Sequence, residues 1–203
     1  MSLILASGSP RRRELLESLR LRFEVVTGAV DERLRPEEPV EAYVERLARE
    51  KAEAVATSRP DAWIIAADTV VWLDGRILGK PADRDDAVRM LGAIAGREHV
   101  VYTGTALLHG GRGWRRTSVT ATRVRMVSLG REEIEWYVAT GEPMDKAGAY
   151  AVQGIGSMYV ESIEGNYTNV VGLPLAPLLR MMREAGIDPA HYRNERVRVT
   201  GGL

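Results

Sequence analysis

The run Trp63–Leu73 (WIIAADTVVWL) constrains this chain more than any other stretch. It is rich in β-branched and aromatic side chains, is long for a strand, and passes into Asp74-Gly75, a dipeptide suited to a tight hairpin. Segments with helical spacing lie on both sides. Pro39–Ser58 sets Val44, Leu47, Ala48 and Val55 on one face, and Asp83–Ala95 closes at Gly96. A hairpin-forming strand set among helical crossovers belongs to an α/β fold with a mixed sheet.

The alternation continues along the chain. Leu3–Ser7 reads as a buried strand ended by Gly8 and Pro10, Arg11–Leu19 as a helix and Phe23–Thr27 as a second strand. Val100–Leu108 and Thr117–Val127 form a second hairpin through His109-Gly110-Gly111-Arg112-Gly113. Arg131–Ala139 is expected to be helical, Ser157–Ile163 a strand, and Leu173–Ala185 a helix with Pro174 in its first turn. Residues 1–187 read as one domain and 188–203 as a polar, Arg-rich tail, partly disordered.

Composition narrows the function. Apolar residues make up 45% of the 203, enough for a real core, and Lys plus Arg equals Asp plus Glu at 28 each. Zero net charge argues against a partner that is polymeric nucleic acid or a membrane surface. There is no cysteine, so disulfides, thiolate metal sites and cysteine nucleophiles are excluded. The apolar start ends after a few residues and no run approaches the roughly 20 apolar residues of a membrane helix, so a soluble cytoplasmic protein is expected. The 28 basic residues are 25 Arg and only three Lys: Lys51, Lys80 and Lys146. A Lys kept in such a chain suits a place needing a compact ammonium, although chance placement leaves the same trace.

Several motifs could carry chemistry. In Ser7-Gly8-Ser9-Pro10-Arg11-Arg12-Arg13, Ser9 suits a helix N-cap and Pro10 the first helical position. Three Arg in a first helical turn oppose the macrodipole unless an anion is held there. The competing reading is a solvated basic turn. Lys51 falls on the apolar face of its helix, and either extends out to water or meets an anion in a cleft. Asp68 interrupts the most apolar strand. Such a carboxylate binds a metal, pairs with a cation, faces a site, or makes a structural hydrogen bond at a strand bend. Gly79-Lys80-Pro81 presents a single Lys, and Gln153-Gly154-Ile155-Gly156, preceded by Asp145-Lys146-Ala147-Gly148-Ala149-Tyr150, lets a ligand approach the backbone. Asp31-Glu32 places carboxylates within reach of a metal. His99, His109 and His191 share no ligand spacing, and Walker, GxGxxG and nucleophile-elbow motifs are absent. Phosphate chemistry with Arg, Lys, carboxylates and an added divalent cation is the coherent remainder.

These motifs, with Asn169-Val170-Val171-Gly172-Leu173-Pro174, resemble the Maf proteins, named for septum formation, from about Leu3 to Ile187. The resemblance implies an inosine-triphosphatase-like α/β fold: a long mixed, twisted sheet flanked by helices, with two lobes and a central cleft. It implies hydrolysis of a nucleoside triphosphate to the monophosphate and pyrophosphate, a divalent cation (Mg²⁺ or Mn²⁺), and a homodimer. Asp68 matches the family's proposed general base, Lys51 and Lys80 its cleft lysines, and Glu32 an acidic site residue; Asp68 either activates the attacking water or, with Glu32, holds the metal that does so. Ser7, Ser9, Arg11 and Arg12 match its phosphate loop. Arg11, Thr69 and Gln153 match the group acting on dTTP and UTP, where the group acting on 7-methyl-GTP has Trp, Gln and Glu. A Gln amide both donates and accepts, as a uracil or thymine edge requires. Two rivals remain. One is a non-catalytic nucleotide-binding regulator of cell division, in which Asp68 would hinder anion binding. The other is an RNA-binding module, which zero net charge disfavours.

Overall fold

A computed structural model of the chain describes residues 2–192. The strands are β1 (Ser2–Leu5), β2 (Glu24–Val25), β3 (Ala62–Leu73), β4 (Arg76–Leu78), β5 (Glu98–His109), β6 (Trp114–Met126) and β7 (Val160–Glu164). The helices are α1 (Pro10–Ser18), α2 (Val40–Ala56), α3 (Arg84–Ile94), α4 (Arg131–Ala139), α5 (Tyr167–Val171) and α6 (Leu175–Glu184). The strands form one sheet in the order β2-β1-β3-β5-β6-β7, with β4 beside β3. β1 pairs in parallel with β2 and β3, and every other pairing is antiparallel. The sheet is mixed, as the hairpins among crossovers predicted.

The edge of β3 next to β1 is used twice. β1 covers it from Ala62 to Ile65, and β4 covers it from Val71 to Leu73. Between them the strand edge opens, at Ala66–Val70. The loop leaving β1 and the turn leaving β4 run into this opening from opposite ends, and Asp68 and Thr69 stand in it.

Strand alternation gives these two neighbours different surroundings. Trp63, Ile65 and Ala67 pack with Leu16 of α1 and Leu178 and Met181 of α6. Ala62, Ile64 and Ala66 pack with Ala48, Ala52 and Val55 of α2. Asp68 therefore shares the α2 face and Thr69 the α1 face. Beyond the opening, Val71 and Leu73 join Leu91 and Ile94 of α3 and Ile134 and Tyr137 of α4 in another apolar cluster.

Some boundaries differ from those expected. β2 is only two residues, so Glu32 lies on an irregular segment well beyond it. Gly154–Tyr159 is a 3₁₀ segment and the strand after it starts at Val160; the Tyr159 ring is buried edge-on against Tyr137. α6 begins at Leu175, with Pro174 as its N-cap. Helix α5 has no counterpart in the sequence reading, being too short to show a period. Packing continues past Ile187: Tyr192 is buried in the α1–α6 cluster, and its carbonyl accepts the Arg22 amide. Residues 193–203 of the expected tail lie outside the described residues.

Candidate active site

The opening in the sheet edge is the mouth of a cavity of about 660 Å³. Ser7, Ser9, Arg11, Arg12, Glu32, Lys51, Asp68, Thr69, Lys80 and Gln153 all line it. So every residue singled out for the site reaches one place, although they span the chain from the first strand to the loop before β7. Lys146 lines it as well, so all three lysines of this Arg-rich chain face the same cavity.

Asp68 is 8% exposed. Its Oδ1 accepts a hydrogen bond of 2.6 Å from Lys51 Nζ, which lies 2.7 Å from Glu32 Oε1. Lys51 comes from the apolar face of α2. It resolves the choice between water and an anion by reaching two carboxylates in the cleft. Glu32 is steadied by Tyr43, whose hydroxyl donates to the Glu32 carbonyl at 2.8 Å. Behind it, Arg46 on α2 binds both oxygens of Glu38 (2.6 and 2.8 Å) and the Arg33 carbonyl, pinning the segment that carries Glu32. The Arg46 hydrogen bonds hold the Glu38 carboxyl well below its usual range, at about 2.

The three consecutive arginines have three different fates. Arg13 is exposed beside Glu17, at 3.6 Å. Arg12 donates to the Gly172 carbonyl (2.8 Å), Ser7 Oγ (3.0 Å) and Thr69 Oγ1 (3.0 Å). It ties the β1 loop, β3 and the turn before α6 together. Burial draws its pKa down, and the Asp68 charge opposes that fall. Arg11 reaches across the cavity to Asp145, at 2.9 Å from Oδ2 and 3.3 Å from the backbone oxygen. At the start of α1, Ser9 is the N-cap and Pro10 follows it, as the sequence predicted. The Ser9 side chain caps no amide; its own N–H donates to Ser7 Oγ at 3.3 Å. Lys80 is exposed at the rim.

Several contributors carry no role in the sequence reading. Asp145 holds Arg11 and accepts from Lys146 Nζ at 2.6 Å. Asn169 of α5 is fully buried and donates to the Val101 carbonyl (2.9 Å) and Thr122 Oγ1 (3.0 Å), which seats Gly172 against Arg12 and Thr69. The third lysine was the available signal for the Asp145-Lys146 corner. Asn169 stood in the sequence only as the first residue of a family motif, with no role attached, because its hydrogen-bond partners are remote along the chain.

Asp68 and Glu32 converge on one cationic position. Two hard carboxylate donors suit a divalent ion completed by phosphate oxygens and water. Among the described residues, no group of three or more His, Cys, Asp or Glu could hold a metal ion. The donor set fits an ion that arrives with an anionic ligand better than a closed protein cage.

The fold and site thus define an α/β protein with a mixed sheet and a cation-lined cleft around a buried carboxylate. A family model described as Maf-like protein matches residues 2–185, and the chain belongs to that family. It is 52% identical over 187 residues to a protein of Anaeromyxobacter sp. (strain Fw109-5) named dTTP/UTP pyrophosphatase, covering 91% of this chain and 89% of that one. A protein of the same name from Syntrophus aciditrophicus (strain SB) is 48% identical over 184 residues, covering 91% and 90%. Among solved structures, the Staphylococcus aureus Ham1 protein matches with a TM-score of 0.51 and 15% identity, covering 92% of this chain and 100% of that one. That likeness concerns the fold.

Proposed function

We propose that this protein is a nucleoside triphosphate pyrophosphatase that hydrolyses dTTP and UTP to the monophosphate and pyrophosphate. The observation that carries the reading is the cavity itself: Arg11, Arg12, Lys51, Lys80 and Lys146 line it together with Asp68, which Lys51 contacts directly. Relatives about half identical along nearly their whole length carry that activity in their names. Arg11, Thr69 and Gln153 are the residue types of the pyrimidine group.

Arg11, Arg12, Lys51 and Lys80 bind the triphosphate and offset the charge of the transition state. Asp68 accepts the proton of the water that attacks the α-phosphorus, and pyrophosphate departs. Asp68 and Glu32 would also hold a divalent cation, Mg²⁺ or Mn²⁺, which when bound neutralises phosphate charge. Gln153 offers an acceptor and a donor to the base edge. Metal identity is read by removing divalent ions with a chelator and restoring each in turn.

The protein is further read as a cytoplasmic homodimer, the assembly being carried by the family resemblance and tested by light scattering. Among the described residues no helix is long and apolar enough to cross a membrane. The decisive assay incubates purified protein with each nucleoside triphosphate and Mg²⁺, measuring pyrophosphate separately from orthophosphate. Pyrophosphate from dTTP and UTP is expected. No product from any base would instead support a nucleotide-binding regulator.

A further inference from the structure

Gln153 sits on an exposed glycine-rich loop, and a side chain that discriminates bases cannot do so from a freely moving loop. The loop is held on both sides of Gln153, by α4 and by the turn that follows it. Upstream, the Tyr137 hydroxyl of α4 accepts the Ala151 amide at 3.1 Å. Downstream, the Glu142 carboxylate, just past the end of α4, accepts the Ile155 amide at 2.9 Å and the Gly156 amide at 3.4 Å.

Glu142 is itself fixed at both backbone ends. Its N–H donates to Thr140 Oγ1 (3.2 Å) and its carbonyl accepts from Lys146 Nζ (2.6 Å). The fit against the loop is close: a Cβ on Gly154, which has φ +69, would lie 2.8 Å from Glu142 Oε1. A carboxylate on two successive amides makes charge-assisted hydrogen bonds, stronger than a neutral side chain would make.

We propose that Glu142 is a positioning residue for base selectivity: it locks the Gln153–Gly156 loop so that the Gln153 amide meets the base edge in one orientation. The proposal rests on the pyrimidine reading of the cavity. Glu142 touches no substrate and acts through Gln153.

The test compares wild type, Glu142→Gln and Glu142→Ala. It reads kcat/KM for UTP, dTTP, CTP and GTP, together with the inhibition constant of inorganic triphosphate, which has phosphates but no base. Glu142→Ala is expected to lower the ratio of UTP over CTP and GTP about tenfold. The loss should fall mainly in KM, with inorganic triphosphate binding within about twofold of wild type. Glu142→Gln, which keeps one accepting oxygen for the Ile155 amide, should restore part of the ratio. An unchanged ratio in both variants overturns the proposal. So does a parallel loss of triphosphate binding and of activity on all four nucleotides, which would mark a general collapse of the site. Should Glu142→Ala fail to fold, Glu142→Gln alone decides by the same ratio. A wild type that prefers another base overturns the pyrimidine reading and leaves Glu142 to be judged on that other ranking.

Discussion

Gly104 stands directly opposite Asp68 in the antiparallel register of β3 and β5. A Cβ at Gly104 would overlap the Val44 carbonyl of α2. The missing side chain lets α2 lie directly on the sheet beside Asp68, and seven residues along the same helix Lys51 reaches that carboxylate.

Gly104→Ala is therefore expected to push α2 outward. Overpacking against backbone should cost about 3 kcal/mol, read as a lower denaturation midpoint. Turnover should fall by more than the stability loss explains, because Lys51 shifts from Asp68. A variant of wild-type stability would show that α2 has room to spare.

Asp68→Asn keeps shape but cannot accept the proton of the attacking water. Its kcat at saturating Mg²⁺ should fall roughly 10²- to 10⁴-fold, with folding intact by circular dichroism. Near wild-type turnover would refute Asp68 as the base.

Gln153→Glu replaces a donor–acceptor pair with a pure acceptor that repels the carbonyls of thymine and uracil. Loss of one contact at about 1–3 kcal/mol lowers kcat/KM for dTTP and UTP roughly 5- to 150-fold. Activity on 7-methyl-GTP and GTP should hold or rise. The four kcat/KM values measure it, and an unchanged ranking would sink the base assignment.

His99 is buried, with Nε2 2.8 Å from the Tyr150 hydroxyl, and burial pulls its pKa to about 4. Unfolded, it would titrate near 6.5. The unfolded chain then binds more protons between these values, so stability falls as pH drops through that window. From pH 7 to 5 the loss from His99 should be about 2 kcal/mol. Burial, and the nearby Arg112, lower the pKa of His109 too, adding to the same slope. Glu38 and Asp31, each held at about 2, lose their contributions only below the ordinary carboxylate range. Urea melts of wild type and His99→Gln across pH 5–7 check this. An equal slope in both would remove His99 from the account.

Much of the fold was legible because strands and helices advertise themselves by spacing. The Trp63–Leu73 run, its Asp74-Gly75 turn and the apolar face of α2 are repeating patterns among near neighbours. Site residues were legible where they broke such a pattern: Asp68 in an apolar strand, Lys51 on an apolar face, arginines at a helix start. Glu142 and Asn169 broke none, and α5 was too short to make one.

By itself the sequence determined the alternation of strands and helices, the face each apolar residue would seek, and the residue types available for phosphate chemistry. Only the tertiary structure decided that β1 and β4 share one edge of β3 and leave Ala66–Val70 open between them. It alone showed that Arg12 binds Ser7, Thr69 and Gly172, that Arg11 crosses to Asp145, and that Glu142 holds the loop of Gln153. The reason is physical. Periodicity records how a residue stands to its neighbours along the chain. Arg12 and Gly172, or Arg11 and Asp145, become neighbours only when burial of the apolar faces folds the sheet and brings distant loops to one opening.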